Sequence, residues 1–92
     1  MSKYESVAVF SVKDGEEKAK GLVEKFKALI EANGTMETVD EWGVRKLAYP
    51  INYETDGYYV LYVFEADVNF PAELDRIYNI TDGVMRSIIV AR

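Results

Sequence analysis

Trp42-Gly43-Val44-Arg45-Lys46-Leu47-Ala48-Tyr49-Pro50-Ile51 is the stretch whose reading decides how the chain is assembled. It closes an extended run that starts at Thr35, whose β-forming residues are Thr35, Thr38, Val39, Trp42, Val44 and Tyr49. The run is long for a strand, and Gly43 marks a bulge or a strong twist within it. Pro50 cannot donate a ladder hydrogen bond, so the strand ends there or lies at a sheet edge. Asn52 to Gly57 supplies turn residues, and Tyr58 to Phe64 is the clearest strand in the chain, apolar or aromatic on both sides. The two runs form a hairpin. The segment also stands apart in charge. It carries Arg45 and Lys46 and no acid, while Glu37, Asp40 and Glu41 precede it and Glu54 and Asp56 follow it.

Working outward, Tyr4 to Val12 reads as an interior strand, with Val7, Ala8, Val9 and Phe10 apolar on both faces. Lys13-Asp14-Gly15 breaks it. Asp14, three residues before Glu17, fits a side chain that caps the start of a helix. From Glu16 the apolar residues Ala19, Leu22, Val23, Phe26, Leu29 and Ile30 recur in steps of three and four, one stripe of an amphipathic helix. Asn33-Gly34 ends it, with glycine expected in the left-handed conformation. On the other side of the hairpin, Asp67 to Phe70 is a connection, and Pro71 suits the first turn of a short helix. Leu74, Ile77 and Tyr78 form that helix's stripe, and it ends near Asn79. Asp82-Gly83 is a turn, and Val84 to Ala91 is a last strand.

The order β-α-β-β-α-β is the α+β, ferredoxin-like split βαβ arrangement. It predicts one domain over residues 1–92, with a four-stranded antiparallel sheet and two helices on one face. Right-handed crossovers put the first and third strands in the middle and the second and fourth at the edges. The Trp42–Ile51 segment then lies on an edge strand, whose unpaired backbone can accept a strand from another chain.

The totals narrow the chemistry. A chain of 92 residues that is 49% hydrophobic supports one core. It has no cysteine and no histidine, so disulfides, thiolate metal sites and the commonest general base are excluded, and no metal or cofactor is implied. The opening Met1-Ser2-Lys3-Tyr4-Glu5 lacks an apolar signal core, and no apolar run approaches a membrane span, so a cytoplasmic protein without membrane contact is expected. A net charge of -5 argues against indiscriminate nucleic-acid binding.

Three uses of this fold can be weighed on the residues. An enzyme of the phosphatase kind needs a cationic, glycine-rich phosphate cradle after the first strand. Ser11-Val12-Lys13-Asp14-Gly15 offers one lysine beside an aspartate. An RNA recognition motif needs its aromatic third-strand signature, which Gly57-Tyr58-Tyr59-Val60-Leu61-Tyr62 matches poorly, with Asp56 where a cation belongs. A binding or assembly module needs only the edge strand and a few cations. Arg45 and Lys46 point to opposite faces. Lys3 and Arg92 should be neighbours across antiparallel strands, and Arg86 adds a further cation in the acid-free stretch Gly83 to Arg92. Together these form a weakly basic rim on an acidic body, suited to a few phosphate contacts. On composition alone the central segment is an ordinary strand with two solvated cations; the alternative function is a self-associating regulatory or ligand-binding module that uses the same edge and takes a small ligand on the open sheet.

The wording of the central segment closely resembles the signature of bacterial small-subunit ribosomal protein number six. The likeness extends through Lys3-Tyr4-Glu5, Gly57-Tyr58-Tyr59-Val60, Phe70-Pro71-Ala72-Glu73-Leu74 and Ile80-Thr81-Asp82-Gly83-Val84-Met85-Arg86. The resemblance implies a non-enzymatic constituent of the small ribosomal subunit. It would bind the central domain of small-subunit ribosomal RNA together with the basic small-subunit protein number eighteen. An acidic chain complements such a partner, and a monomer in isolation is expected. On this reading Lys3, Arg45, Lys46, Arg86 and Arg92 contact rRNA phosphates, and Trp42, Leu47, Tyr49, Pro50 and Ile51 contact the partner. Val44 departs from the family, many of whose members carry a cation there, and the chain ends at Arg92 without the acidic tail of some relatives.

Overall fold

The alternation of residues along the first strand determines which side of the sheet is covered. In the computed structural model, which describes residues 2–13, 15–51 and 54–92 with the side chains of 48–51 outside that description, β1 spans Ser2–Ser11. Its Tyr4, Ser6, Ala8 and Phe10 are all buried. They meet Ala19, Val23, Phe26 and Ile30 of α1 (Glu16–Asn33) and Phe70, Leu74 and Tyr78 of α2 (Phe70–Ile80). Apart from Phe70, read from the sequence as part of the connection but here the first residue of α2, these belong to the two helical stripes read from the sequence, with Leu22, Leu29 and Ile77 packed at the margin. A fully buried Phe or Leu contributes about 1.5–3 kcal/mol through the apolar surface it removes from water.

The elements follow the expected order, with β2 at Gly34–Ile51, β3 at Glu54–Ala66 and β4 at Val84–Ala91. The sheet runs β2-β3-β1-β4 with antiparallel neighbours throughout, so β1 and β3 are central and β2 and β4 are edges. Both helices cover the face that carries Tyr58, Val60, Tyr62 and Phe64 of β3. The core is strongly aromatic: Phe26 lies 4.4 Å from Tyr78 and 5.8 Å from Phe10, centroid to centroid. Its polar atoms are matched. Tyr62 donates its hydroxyl to the Val23 carbonyl at 2.8 Å, and Ser6 Oγ and the Tyr78 hydroxyl share a hydrogen bond of 2.9 Å. Among the described residues, no buried side-chain nitrogen or oxygen lacks a partner.

One local expectation lies outside the described residues, and two need revision. The helix-capping role of Asp14 falls outside the described residues, and the N-cap position belongs to Gly15, which has no side chain to offer. Gly34 does not close α1 in a left-handed conformation. Its φ of -172° is ordinary extended backbone, and β2 begins on it directly. The glycine is required for a different reason: a Cβ there would run into the Glu65 carbonyl of the neighbouring strand. The turn read over Asn52 to Gly57 does not include Glu54 to Gly57, which are strand. β3 starts at Glu54, and Gly57 sits inside the ladder between Arg45 and Ser11. A Cβ at Gly57 would meet Val9 Cγ1 at 2.5 Å, so this glycine serves close packing and not a turn.

Candidate interface on the second strand and the open sheet face

The β2 strand changes character along its length. Its first half carries Glu37, Asp40 and Glu41, and the rest, from Trp42 to Ile51, has no carboxylate. Its pairing with β3 shifts register between Met36 and Thr38, between Glu41 and Gly43, and between Lys46 and Ile51. Such bulges bend and twist an edge. Gly43 takes φ 80° at the second of them, as its position in the run suggested. Only the inner flank of β2 is paired, so its outer backbone groups face away from the sheet.

Around that strand, Val44, Arg45 and Lys46 are exposed. Arg45 lies opposite Gly57 and Lys46 opposite Asp56, consecutive rungs whose side chains leave opposite faces, as expected from the strand's pleat. Among the described residues neither cation has an ion-pair partner. Leu47 is half-buried, near enough to Gly57 that a Cβ there would meet its Cδ2 at 3.4 Å. The side chains of Tyr49, Pro50 and Ile51, expected at the partner surface, lie outside the described residues.

Trp42 is not an outward-facing edge residue. It occupies the second bulge and turns over the sheet onto Tyr59, with ring centroids 6.3 Å apart and planes 20° from parallel. Its indole N–H donates to Asp40 Oδ2 at 3.0 Å, and 39% of the residue remains exposed. The face beneath it is the one the helices leave uncovered. Rungs cross it as Gly43–Tyr59–Val9–Arg86, then Asp40–Leu61–Val7–Ile88, then Thr38–Val63–Glu5–Val90. Ile88 and Val90 are about half exposed. Tyr59 belongs to the third-strand segment whose aromatic signature is poor, and Ile88 and Val90 stand outside the site residues expected from the sequence. The signal was the two-residue alternation Arg86, Ile88, Val90, which places all three on one face.

The five cations do not form one rim. Lys3 and Arg92 are adjacent as expected, with the Arg92 backbone N–H donating to the Lys3 carbonyl at 2.9 Å. Both carry carboxylate partners, Lys3 with Glu37 at 3.3 Å and Arg92 with Glu5 at 3.1 Å. Arg86 lies opposite Val9, six residues along β1 from Lys3 and therefore about 20 Å away. Arg45 is at that second end, across β3 and β1 from Arg86. The basic rim read from the sequence is thus two separate groups. The separation arises because residues at opposite ends of a strand stay apart however the sheet is assembled.

The loop after β1 is committed internally. Ser11 Oγ donates to Glu54 Oε1 at 2.5 Å and accepts from the Lys13 N–H at 3.2 Å. Lys18 lies 3.7 Å from Asp82. A cleft of about 460 Å³ there mixes Lys13 and Lys18 with Glu54 and Asp82, which is no cradle for a phosphate. On the helix side, Tyr58 donates to Glu41 Oε1 at 2.8 Å. Burial first, and then the Glu41 carboxylate, push its hydroxyl up to about 12.

The family model described as ribosomal protein S6 matches residues 3–91. The small ribosomal subunit protein bS6 of Clostridium novyi is 50% identical over 91 residues, covering 98% of this chain and 96% of that protein. The protein of the same name from Caldanaerobacter subterraneus is also 50% identical, with the same coverage. The crystal structure of 30S ribosomal protein S6 from Thermotoga maritima superposes with a TM-score of 0.91 at 31% identity, covering 99% of this chain and 87% of that one.

Proposed function

The chain belongs to the ribosomal protein S6 family, and we propose that it is a non-catalytic scaffold of the small ribosomal subunit. It binds the central domain of small-subunit rRNA in company with small-subunit protein number eighteen. The observation that carries this reading is the carboxylate-free part of β2. It combines an unpaired outer backbone flank with two exposed cations that have no carboxylate partner among the described residues. Arg45 and Lys46 supply phosphate contacts from either face of that strand, Arg86 adds a third at the same end, and Lys3 with Arg92 contacts RNA at the far end. Leu47, Tyr49, Pro50 and Ile51 contact the partner along the strand edge.

The net charge of -5 favours docking with a strongly basic partner and discourages capture by unrelated RNA. Lys3 and Arg92 already have carboxylates beside them and contribute least to phosphate binding, since an RNA contact there must compete with an existing ion pair. The protein is a cytoplasmic monomer until it meets its partner. No helix among the described residues is long and apolar enough to cross a membrane.

Sucrose-gradient sedimentation of lysate from cells producing the tagged chain tests this. Migration with the small subunit, lost when protein number eighteen is depleted, is the expected result. A chain that stays at the top of the gradient overturns the proposal.

A further inference from the structure

We infer that Trp42 and Tyr59, with Arg45 beside them, form a stacking site for one unpaired nucleobase of single-stranded RNA on the open face of the sheet. Three features point to that ligand. The first is a pre-set aromatic surface: the indole is fixed by its hydrogen bond to Asp40 and supported by the Tyr59 ring, yet 39% of Trp42 stays exposed. A ring held in place loses little freedom when a base stacks on it.

The second is the spacing to a cation. Gly43, beside Trp42, pairs with Tyr59, and Arg45 pairs with Gly57, two residues along the same face. The Cα atoms of the two rungs are about 7 Å apart, so the long Arg45 side chain is within reach of the phosphate of a base stacked on the indole. Arg45 is exposed and has no carboxylate partner among the described residues. The third is polarity of approach. Asp40 lies on the side of Trp42 away from Arg45, so the backbone phosphate is steered to the Arg45 side.

Single-stranded RNA is read by aromatic side chains on the open face of four-stranded sheets in other proteins, where the paired aromatics stand on the first and third strands. Here the second aromatic comes from the bulge of β2, which is why the third strand alone looked unsuited. A partner protein's apolar side chain is the rival occupant. An exposed cation two residues along the same face favours the nucleotide.

The inference rests on the ribosomal reading for its choice of ligand, and the test separates the two. The full chain contains a single tryptophan, so its indole N–H gives one NMR resonance. Titration with an oligoadenylate RNA of about eight nucleotides at low salt should shift that resonance saturably. Tyr59→Leu should weaken binding about tenfold. Arg45→Gln, at an exposed position, should lower the slope of log affinity against log salt by about 0.7. Shifts that stay linear in RNA concentration overturn the site, as does a salt slope unchanged in Arg45→Gln. So does a resonance that responds to protein number eighteen and is not displaced by the oligonucleotide. If the chain still sediments with small subunits while failing the titration, only the base site falls. If it binds the oligonucleotide but never joins subunits, the ribosomal reading falls.

Discussion

Glycine-to-alanine substitution at three positions should have three different outcomes, because the surroundings of each glycine differ while the chemical change is the same. At Gly21, in the interior of α1, an added Cβ meets nothing within 4 Å. Alanine there should stabilise by about 0.5–1 kcal/mol, the difference in helix propensity and unfolded-chain entropy. At Gly43 an added Cβ also meets nothing within 4 Å, but φ is +80°. The cost is then conformational alone, about 1–2 kcal/mol. At Gly34 the conformation is freely available to alanine, yet the Cβ collides with the Glu65 backbone carbonyl. Backbone cannot swing aside as a side chain can, so the start of β2 must separate from β3, at a cost of roughly 2 kcal/mol or more. Urea unfolding of the three variants, read as midpoint at constant m, measures the order Gly21 above wild type above Gly43 above Gly34. Each kcal/mol corresponds to about 4–8 °C in Tm for a domain of this size. A neutral Gly34→Ala would refute the close-approach account of that glycine, and a neutral Gly43→Ala would refute the bulge.

Tyr78→Phe should cost about 1–2 kcal/mol because it strips the fully buried Ser6 hydroxyl of its partner, and adding Ser6→Ala should recover part of the loss. Additive losses in that double-mutant cycle would count against the bond. Alkaline titration should destabilise the fold from pH 10 upward. Burial and the Glu41 contact raise Tyr58 to about 12, and burial raises Tyr78 to about 12 despite its Ser6 bond. Raised folded-state values mean the contribution is whole below the ordinary tyrosine value of 10 and is lost as pH climbs through 12. A Tm that is flat from pH 9 to 12 would contradict this. Neutralising Lys46 should weaken rRNA association and reduce its salt slope by about one. Neutralising Lys3 should change both less, because Glu37 already competes for it. Filter binding across a salt series distinguishes the two.

The architecture was legible because its signals are local. The stripe from Ala19 to Ile30 has the period of a helix, Tyr58 to Phe64 has the composition of a central strand, and Pro50 fits a strand end or an edge. What escaped the sequence depends on contacts between distant segments. Nothing near Gly34 in the chain announces that Glu65 will lie against it. The direction of Trp42 depends on a single extra residue between Glu41 and Gly43, and inserting or removing one residue reverses every side chain beyond it. The open face was legible only in part. Alternation marks Ile88 and Val90 as companions, but their alignment with Val7 and Val63 requires the register of three strands.

Hydrogen exchange of the backbone amides of Val44 to Leu47 on β2, in the free chain and in reconstituted small subunits, tests the central claim most directly. The outward-pointing amides should exchange fast in the free protein and slow by at least tenfold within the particle. Equal rates in both states would show that no neighbour completes this edge.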